Sequence, residues 1–123
     1  MSDLATGNRP EEFNFDRAQL LARVDGDEEL MLHLVSLFVE TVPRSMASIQ
    51  AALIRRDLET LLEAIHSLDN SVGVLGETRT FEMLHELTTL LSVPDWPRAF
   101  AVWTAVEQRM SLLEAELRRR FDL

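Results

Sequence analysis

The sequence DLETLLEAIHSLDNSVGVLG (residues 57–76) carries the clearest helical pattern in the chain. Its apolar residues follow one another at intervals of three or four, which places them along one face of an α-helix. Asp57 is typical of the start of such a helix, and Gly76 is typical of its end. The segment therefore predicts a helix with one buried face. The apolar positions on that face are Leu58, Leu61, Ile65, Leu68, Val72 and Leu75.

The residues before this segment predict two helices. Asp16 is expected to cap a short helix through Val24, and Asp27 to begin a longer helix with acidic residues in its first turn. Pro43 interrupts the longer pattern, so a kink or a break into two helices is expected there. The apolar positions of the longer pattern are Leu30, Leu34, Phe38, Val42, Met46, Ile49 and Leu53.

The residues after the segment predict two more amphipathic helices. The first covers residues 78–91, and the second begins after the cap candidate Asp95. The apolar positions are Phe81, Leu84, Leu87 and Leu91 in the first, and Ala99, Trp103, Val106, Met110, Leu113 and Leu117 in the second. Arg118, Arg119 and Arg120 then supply positive charges suited to a helix C-terminus.

These patterns together predict the fold class and the domain organisation. Short connections make successive helices antiparallel neighbours. The expected fold is all-α, an antiparallel up-down four-helix bundle with a short additional N-terminal helix. Residues 1–14 are polar and contain glycine and proline, so they predict a flexible leader, and residues 15–123 predict one domain.

Composition excludes several classes of function. The 21 acidic and 12 basic residues give a formal net charge of -9, which disfavours binding to nucleic acid and to anionic membranes. With no cysteine there is no disulfide, thiolate nucleophile or cysteine metal site, and the three histidines lack a metal-ligand spacing. We expect no metal and no cofactor. Without a signal peptide or a membrane-length apolar run, we expect a cytoplasmic location.

His66 lies at the edge of the apolar face of residues 57–76, so we expect it to be exposed. Its neighbours on the helix surface are one or two turns away. They are Leu62, Glu63, Asp69, Asn70 and Gly73. A glycine inside a helix destabilises it by up to about 1 kcal/mol relative to alanine, and one reason to keep it is close approach of another surface. His33 and His85 have no comparable surroundings and are interpreted as solvated side chains.

The segment AIHSLDNSVGVLG (residues 64–76) resembles the signature of histidine-containing phosphotransfer (HPt) domains. His66, Leu68, Leu75 and Gly76 stand in register with that signature. The resemblance extends from residue 15 to residue 117, through an acidic turn, a long helix with a phenylalanine, a region with a proline and the sequence DLETL before the histidine.

The resemblance implies a phosphocarrier without enzymatic activity of its own. His66 would accept a phosphoryl group from a receiver-domain aspartate and pass it to a second receiver. The partner would be the receiver domain of a response regulator, a hybrid sensor histidine kinase, or both, and the chain would act as a monomer. Leu62, Glu63, Asp69, Asn70 and Gly73 would contact the partner, with an apolar patch alongside.

The sequence departs from the family at three positions. Asp69 stands where the family usually has lysine, Asn70 where it has glycine, and Glu77 where it has alanine. A carboxylate about 6 Å from a phosphoryl group repels it by on the order of 1–3 kcal/mol before salt screening. Three arginines could supply compensating charge, although helical spacing places none of them beside His66. They are Arg55, Arg56 and Arg79.

Three hypotheses remain open from the sequence. The chain is a phosphocarrier with an atypical site, or a degenerate HPt-like module that binds a receiver domain or kinase without carrying phosphate, or an unrelated helical bundle that serves as a scaffold or dimerisation element. Retention of His66 favours the first hypothesis, whereas Asp69 and Asn70 favour the second.

Overall fold

The computed structural model describes residues 16–123, of which 87% are helical and none lies in a β-strand. Five helices follow one another along the chain. They are α1 (Arg17–Arg23), α2 (Glu28–Arg55), α3 (Leu58–Leu75), α4 (Thr78–Ser92) and α5 (Trp96–Phe121). The prediction of an all-α fold is confirmed. The flexible leader predicted for residues 1–14 lies outside the described residues.

The four long helices form the predicted antiparallel bundle. Each of them contacts the next in the chain, and α2 also contacts α5, which closes the bundle around one apolar core. The short helix α1 contacts α2 at one end of the bundle. There Arg23 Nη1 donates hydrogen bonds to the carbonyl oxygens of Gly73 (2.8 Å) and Val74 (3.0 Å) near the end of α3. A cation in that position complements the helix C-terminus.

The helix boundaries follow from local capping chemistry. Four aspartates accept a hydrogen bond from the backbone N–H three residues later, which satisfies one free donor of each helix start. They are Asp16, Asp27, Asp57 and Asp95. Hydrogen bonds from the Thr60 hydroxyl and backbone N–H hold the pKa of Asp57 below its ordinary value. Gly76 ends α3 in the left-handed region (φ 74°), which glycine adopts without strain.

The break considered at Pro43 does not occur, because α2 continues unbroken through Arg55. A proline inside a helix removes one backbone hydrogen bond and costs about 3 kcal/mol or more. Val42 before it and Ile49 after it are both buried in the same core, so burial on both sides offsets that cost. Pro43 itself is exposed on the surface of the helix.

Two apolar residues expected on buried faces are exposed instead. Leu30 in α2 retains 42% of its accessible surface and Phe81 in α4 retains 45%. In both helices the buried stripe is rotated slightly from the predicted one, so that Met31 and Thr80 face the core. By contrast, the predicted apolar faces of α3 and α5 are buried, apart from Leu58, which is half-buried.

Candidate functional site

His66 lies in the middle of α3 with its side chain exposed to solvent. On the opposite face of the same helix, Leu61, Leu68 and Val72 are fully buried in the core. This burial fixes the helix against the bundle, so the imidazole is carried on a rigid element rather than on a loop. The site can therefore offer a ring nitrogen to another protein without rearranging the fold.

A cleft between α3 and α4 borders His66 on one side. Its volume is about 380 Å³. The residues that line it are Leu62, Ile65, His66, Asp69, Leu84, His85 and Thr88. The floor is apolar, and the rim carries two imidazoles, one carboxyl group and one hydroxyl group. The Thr88 hydroxyl donates a hydrogen bond to the Leu84 carbonyl at 3.0 Å. We call this feature the α3–α4 cleft.

Asp69 is the acidic group of the α3–α4 cleft. Its side chain is half-buried, and its Oδ1 atom is shielded from solvent without a hydrogen-bond donor among the described residues. Burial raises the pKa of this carboxyl group, and attraction to the His66 and His85 rings acts in the opposite direction. Shielded acceptors without a donor are uncommon in folded proteins and are frequent at functional sites.

His85 is a cleft residue that the sequence interpretation missed, since it was assigned to an ordinary solvated surface. His85 is exposed, but it faces Asp69 and His66 across the cleft. The spacing of the two histidines from the turn predicts this pairing, since α3 and α4 are antiparallel. His66 lies ten residues before Gly76 and His85 lies nine residues after it, so the two are at the same height in the hairpin.

A second, apolar groove lies on the other side of His66, between α2 and α3. Its volume is about 310 Å³. It is lined by Leu34, Leu37, Phe38, Thr41, Ser45, Ser67, Ser71, Val74 and Leu75. Leu37 and Val74 remain 47% and 44% exposed. We call this feature the α2–α3 groove. His66 thus stands on a ridge between a cleft with a polar rim and an apolar groove. The apolar patch expected beside it is present.

Comparison with known proteins identifies the family. A family model described as the Hpt domain matches residues 33–119, a range that contains most of α2 and all of α3 and α4. The chain belongs to the Hpt domain family. Comparisons with curated proteins and with solved structures give no match. Hpt domains are phosphocarrier modules of histidine phosphotransfer in two-component signalling, and they are not classical enzymes.

The predicted contact residues of this Hpt domain occupy different surroundings. Leu62 and Asp69 line the α3–α4 cleft with His66, whereas Glu63 and Asn70 are exposed on the ridge outside it. Gly73 lies beyond them near the end of α3, and a Cβ atom added there would meet nothing within 4 Å. Packing within residues 16–123 therefore does not require a glycine at position 73.

None of the arginines considered as charge donors lines the cleft. Arg56 stacks over the Trp96 ring at 5.6 Å, and Arg79 forms an ion pair with Glu82 at 3.9 Å. Arg55 acts electrostatically on Asp57 at the start of α3. Within residues 16–123, the basic groups that line the cleft are the imidazoles alone. Asp69 stands where the family usually has lysine, and no guanidinium group of residues 16–123 supplies that positive charge in the cleft.

Glu77, the third departure from the family pattern, is buried in an ion pair. Its carboxylate accepts hydrogen bonds from Arg109 Nη2 (3.0 Å) and Nε (3.2 Å), and Thr80 Oγ1 donates to it at 3.4 Å. The two charged side chains are only 6% and 7% exposed. Two parallel donors on one carboxylate satisfy both charges, so Glu77 joins the start of α4 to α5 and lies outside the His66 site.

Residues 16–123 lack two further features. This part of the chain contains no group of three or more histidine, cysteine or acidic side chains arranged to hold a metal ion. Nor does any of its helices have the length and apolar character needed to cross a membrane.

Proposed function

We propose that this chain is a phosphocarrier that accepts a phosphoryl group on His66 from the aspartyl phosphate of a receiver domain and donates it to another receiver aspartate. The observation that carries the proposal is an exposed histidine in the middle of a rigid helix of an Hpt domain. A phosphocarrier needs an accessible neutral imidazole and a docking surface, and it needs no catalytic machinery of its own.

The transfer step balances without a cofactor on this chain. The lone pair of an unprotonated ring nitrogen of His66 attacks phosphorus, and an N–P bond forms as the acyl O–P bond breaks. The receiver aspartate leaves as a carboxylate with the bonding electrons, while the second ring nitrogen of His66 keeps its proton. The receiver supplies Mg²⁺ and the acidic residues that position the phosphoryl group.

The partner is proposed to dock across the ridge that carries His66. The α2–α3 groove offers exposed Leu37 and Val74 for apolar contact with a helix of the receiver. On the ridge itself, the proposed contact residues are Leu62, Glu63, Asp69, Asn70 and Gly73. Apolar contact beside a polar reactive group is typical of interfaces that form and dissociate repeatedly.

We also propose that residues 15–123 form the functional domain and that it works as a monomer in the cytoplasm. A single copy suffices because the ridge, cleft and groove are all built from one chain. Receiver phosphorylation ultimately draws on ATP, which favours a cytoplasmic location. Size-exclusion chromatography with light scattering tests the monomer, and dimerisation that buries the ridge would contradict it.

A binding-only module is the second candidate function. Asp69 supports it, because a carboxylate beside His66 opposes the charge of a phosphoryl group. In such a module the partner binds the ridge while His66 carries no phosphate. Partner affinity would then be nearly unchanged by His66→Ala.

The deciding experiment is phosphorylation by receiver domains from the same genome that have been charged with acetyl phosphate. Phosphate is detected on this chain by intact mass and by its lability in acid and stability in base. Wild type should become phosphorylated and His66→Ala should not, whereas His33→Ala should match wild type. Phosphate on the His66→Ala variant, or none on folded wild type while a receiver binds it, would reject the carrier function.

The variant Asp69→Lys sharpens the choice between the two functions. It replaces repulsion by attraction, a change of roughly 2–4 kcal/mol at an effective dielectric constant near 20 and less in physiological salt. A carrier should therefore hold about tenfold more phosphate at equilibrium with its receiver. If only Asp69→Lys combined with Asn70→Gly becomes phosphorylated, the binding-only module is supported.

A further inference from the structure

The proposed phosphoryl site has an unresolved charge balance. A phosphoryl group on His66 adds about one to two negative charges beside the Asp69 carboxyl group. Among residues 16–123 no arginine side chain lines the α3–α4 cleft, and the sequence contains no lysine. A working carrier needs a positive charge from some other group near the phosphoryl position.

We propose that His85 on α4 is the phosphoryl-binding residue of this domain, and that its protonated ring pairs with Asp69 and with the phosphoryl group on His66. This assignment rests on the proposed carrier function and names a residue that completes its site. His85 lines the same cleft as His66 from the facing helix, and it is exposed enough to meet a group attached there.

The position of Asp69 between the two rings supports the assignment. Its shielded Oδ1 has no donor among the described residues, and both imidazoles interact electrostatically with its carboxyl group. The remaining cleft hydroxyl, on Thr88, already donates to the Leu84 carbonyl. An imidazole N–H is therefore the donor best placed to satisfy Asp69, and such a bond would hold the His85 ring towards His66.

The other charged groups nearby leave His85 as the source of positive charge. On α3, Glu63 is exposed outside the cleft. On α4, Glu82 forms an ion pair with Arg79, and Glu86 is exposed beside His85 without lining the cleft. Within residues 16–123 the cleft is lined from α3 and α4, and the titratable groups that these helices place there are His66, Asp69 and His85.

Linkage makes the assignment measurable without a receiver. If protonation of His85 stabilises the phosphoryl group on His66 by some factor, then phosphorylation of His66 must strengthen proton binding by His85 by that same factor. Histidine side chains exchange their proton between about pH 5 and 8, where this change can be followed by NMR. One favourable contact of this kind at a partly exposed site corresponds to about three- to tenfold.

The experiment uses potassium phosphoramidate as the phosphoryl donor to the 123-residue chain. The P–N bond of the reagent breaks as the bond to His66 forms, and ammonia is released. The three imidazoles are then titrated by two-dimensional ¹H–¹⁵N NMR before and after phosphorylation. His85 should bind its proton about three- to tenfold more tightly in the phosphorylated protein. His33, an exposed histidine on α2 outside the cleft, is the matched control and should not change.

Variants at position 85 give an independent readout. At equilibrium with a phosphorylated receiver, His85→Ala and His85→Gln should retain several-fold less phosphate than wild type near pH 6. Above pH 8 the difference in retained phosphate should be smaller, because the wild-type ring is then neutral. His85→Lys, a permanent cation, should restore retention and remove the dependence on pH. His33→Ala should match wild type. These substitutions are on the surface, so circular dichroism should show an unchanged fold.

The possible failures are distinguishable. An unchanged His85 titration after phosphorylation, or equal changes at His33 and His85, overturns the assignment of His85 while leaving the carrier function intact. Failure of every receiver to phosphorylate His66 overturns the carrier function even if phosphoramidate modifies it and His85 responds. If phosphoramidate does not modify His66, the variants at position 85 decide the assignment, and equal phosphate retention by wild type and His85→Ala near pH 6 overturns it.

Discussion

The α3–α4 turn and the exposed ridge of α3 differ in whether their polar groups have hydrogen-bond partners. At the α3–α4 turn, buried Glu77 is held by two donors of Arg109, and Gly76 adopts the left-handed conformation that the turn requires. On the exposed ridge, Asp69 has a shielded oxygen without a donor among residues 16–123, and a Cβ at Gly73 would meet none of these residues within 4 Å. Both acidic residues depart from the family pattern, yet Glu77 is held in a buried ion pair and Asp69 lines the cleft beside His66.

This difference separates stability from function along a single helix. The turn fixes where α3 ends and how α4 and α5 sit against it, so its residues should affect unfolding and leave the chemistry of His66 alone. On the ridge, Glu63, His66 and Asn70 are exposed, and Asp69 has a polar atom without a partner among the described residues, which is a feature that calls for a functional explanation. Substitutions at the turn should therefore lower the free energy of unfolding, whereas substitutions on the ridge should raise it.

The largest effect is expected from Arg109→Met, which leaves the Glu77 carboxylate buried without its partner. Removal of one member of a buried ion pair costs about 3–5 kcal/mol, and urea denaturation followed by circular dichroism measures it. The double variant Glu77→Gln with Arg109→Met should recover part of the loss, because no buried charge remains. If Arg109→Met lowers the free energy of unfolding by less than about 1 kcal/mol, the buried ion pair at the turn does not stabilise the fold as proposed.

Gly76→Ala should destabilise the turn by about 1–2 kcal/mol, because an L-residue with a side chain is strained at its positive φ. The added Cβ would lie 3.4 Å from the Arg23 guanidinium, which is an ordinary contact, so the cost comes from the backbone conformation. Thermal unfolding gives the measurement, with phosphorylation of His66 expected to persist below the unfolding transition. An unchanged stability would contradict the structural role given to this glycine.

Asp69→Asn should stabilise the fold at neutral pH by about 1 kcal/mol, since it removes a partly buried negative charge and keeps the shape of the side chain. Burial raises the pKa of Asp69, so the folded protein binds its proton up to a higher pH than the unfolded chain. Wild type therefore loses stability as pH rises through the interval between these two pKa values. The advantage of the variant should be full above that interval and should vanish below it.

Denaturation of wild type and Asp69→Asn across this pH range measures the difference directly. The comparison cancels the acid sensitivity of other groups, such as Glu116, whose pKa is lowered by hydrogen bonds from Arg119 and Arg120. A variant less stable than wild type at neutral pH would mean that Asp69 stabilises the fold, and the contrast with Glu77 would fail.

The smallest effect is expected from Gly73→Ala. Alanine stabilises a helix interior by about 0.5–1 kcal/mol relative to glycine, and the added methyl group meets no side chain of residues 16–123 within 4 Å. We expect a small rise in melting temperature together with slower phosphoryl transfer from a receiver, because the new side chain lies on the proposed docking surface. Faster transfer, or a loss of stability, would contradict this placement.

The sequence by itself determined the helices, their caps and most of the core. These features are local: an aspartate caps the backbone three residues away, and a three-to-four residue spacing selects one face of a helix. The α3 pattern around His66 was strong enough to predict both its buried face and the exposure of the histidine. Residue types in register with the Hpt signature then indicated the family.

Only the tertiary structure decided which distant residues meet. Arg109 reaches Glu77 across 32 positions, His85 comes to face His66 across the α3–α4 cleft, and burial on both sides carries α2 through Pro43. These outcomes depend on the relative rotation and height of packed helices, which the whole core sets at once. Local periodicity fixes the face of each helix only to within a fraction of a turn, as Leu30 and Phe81 show.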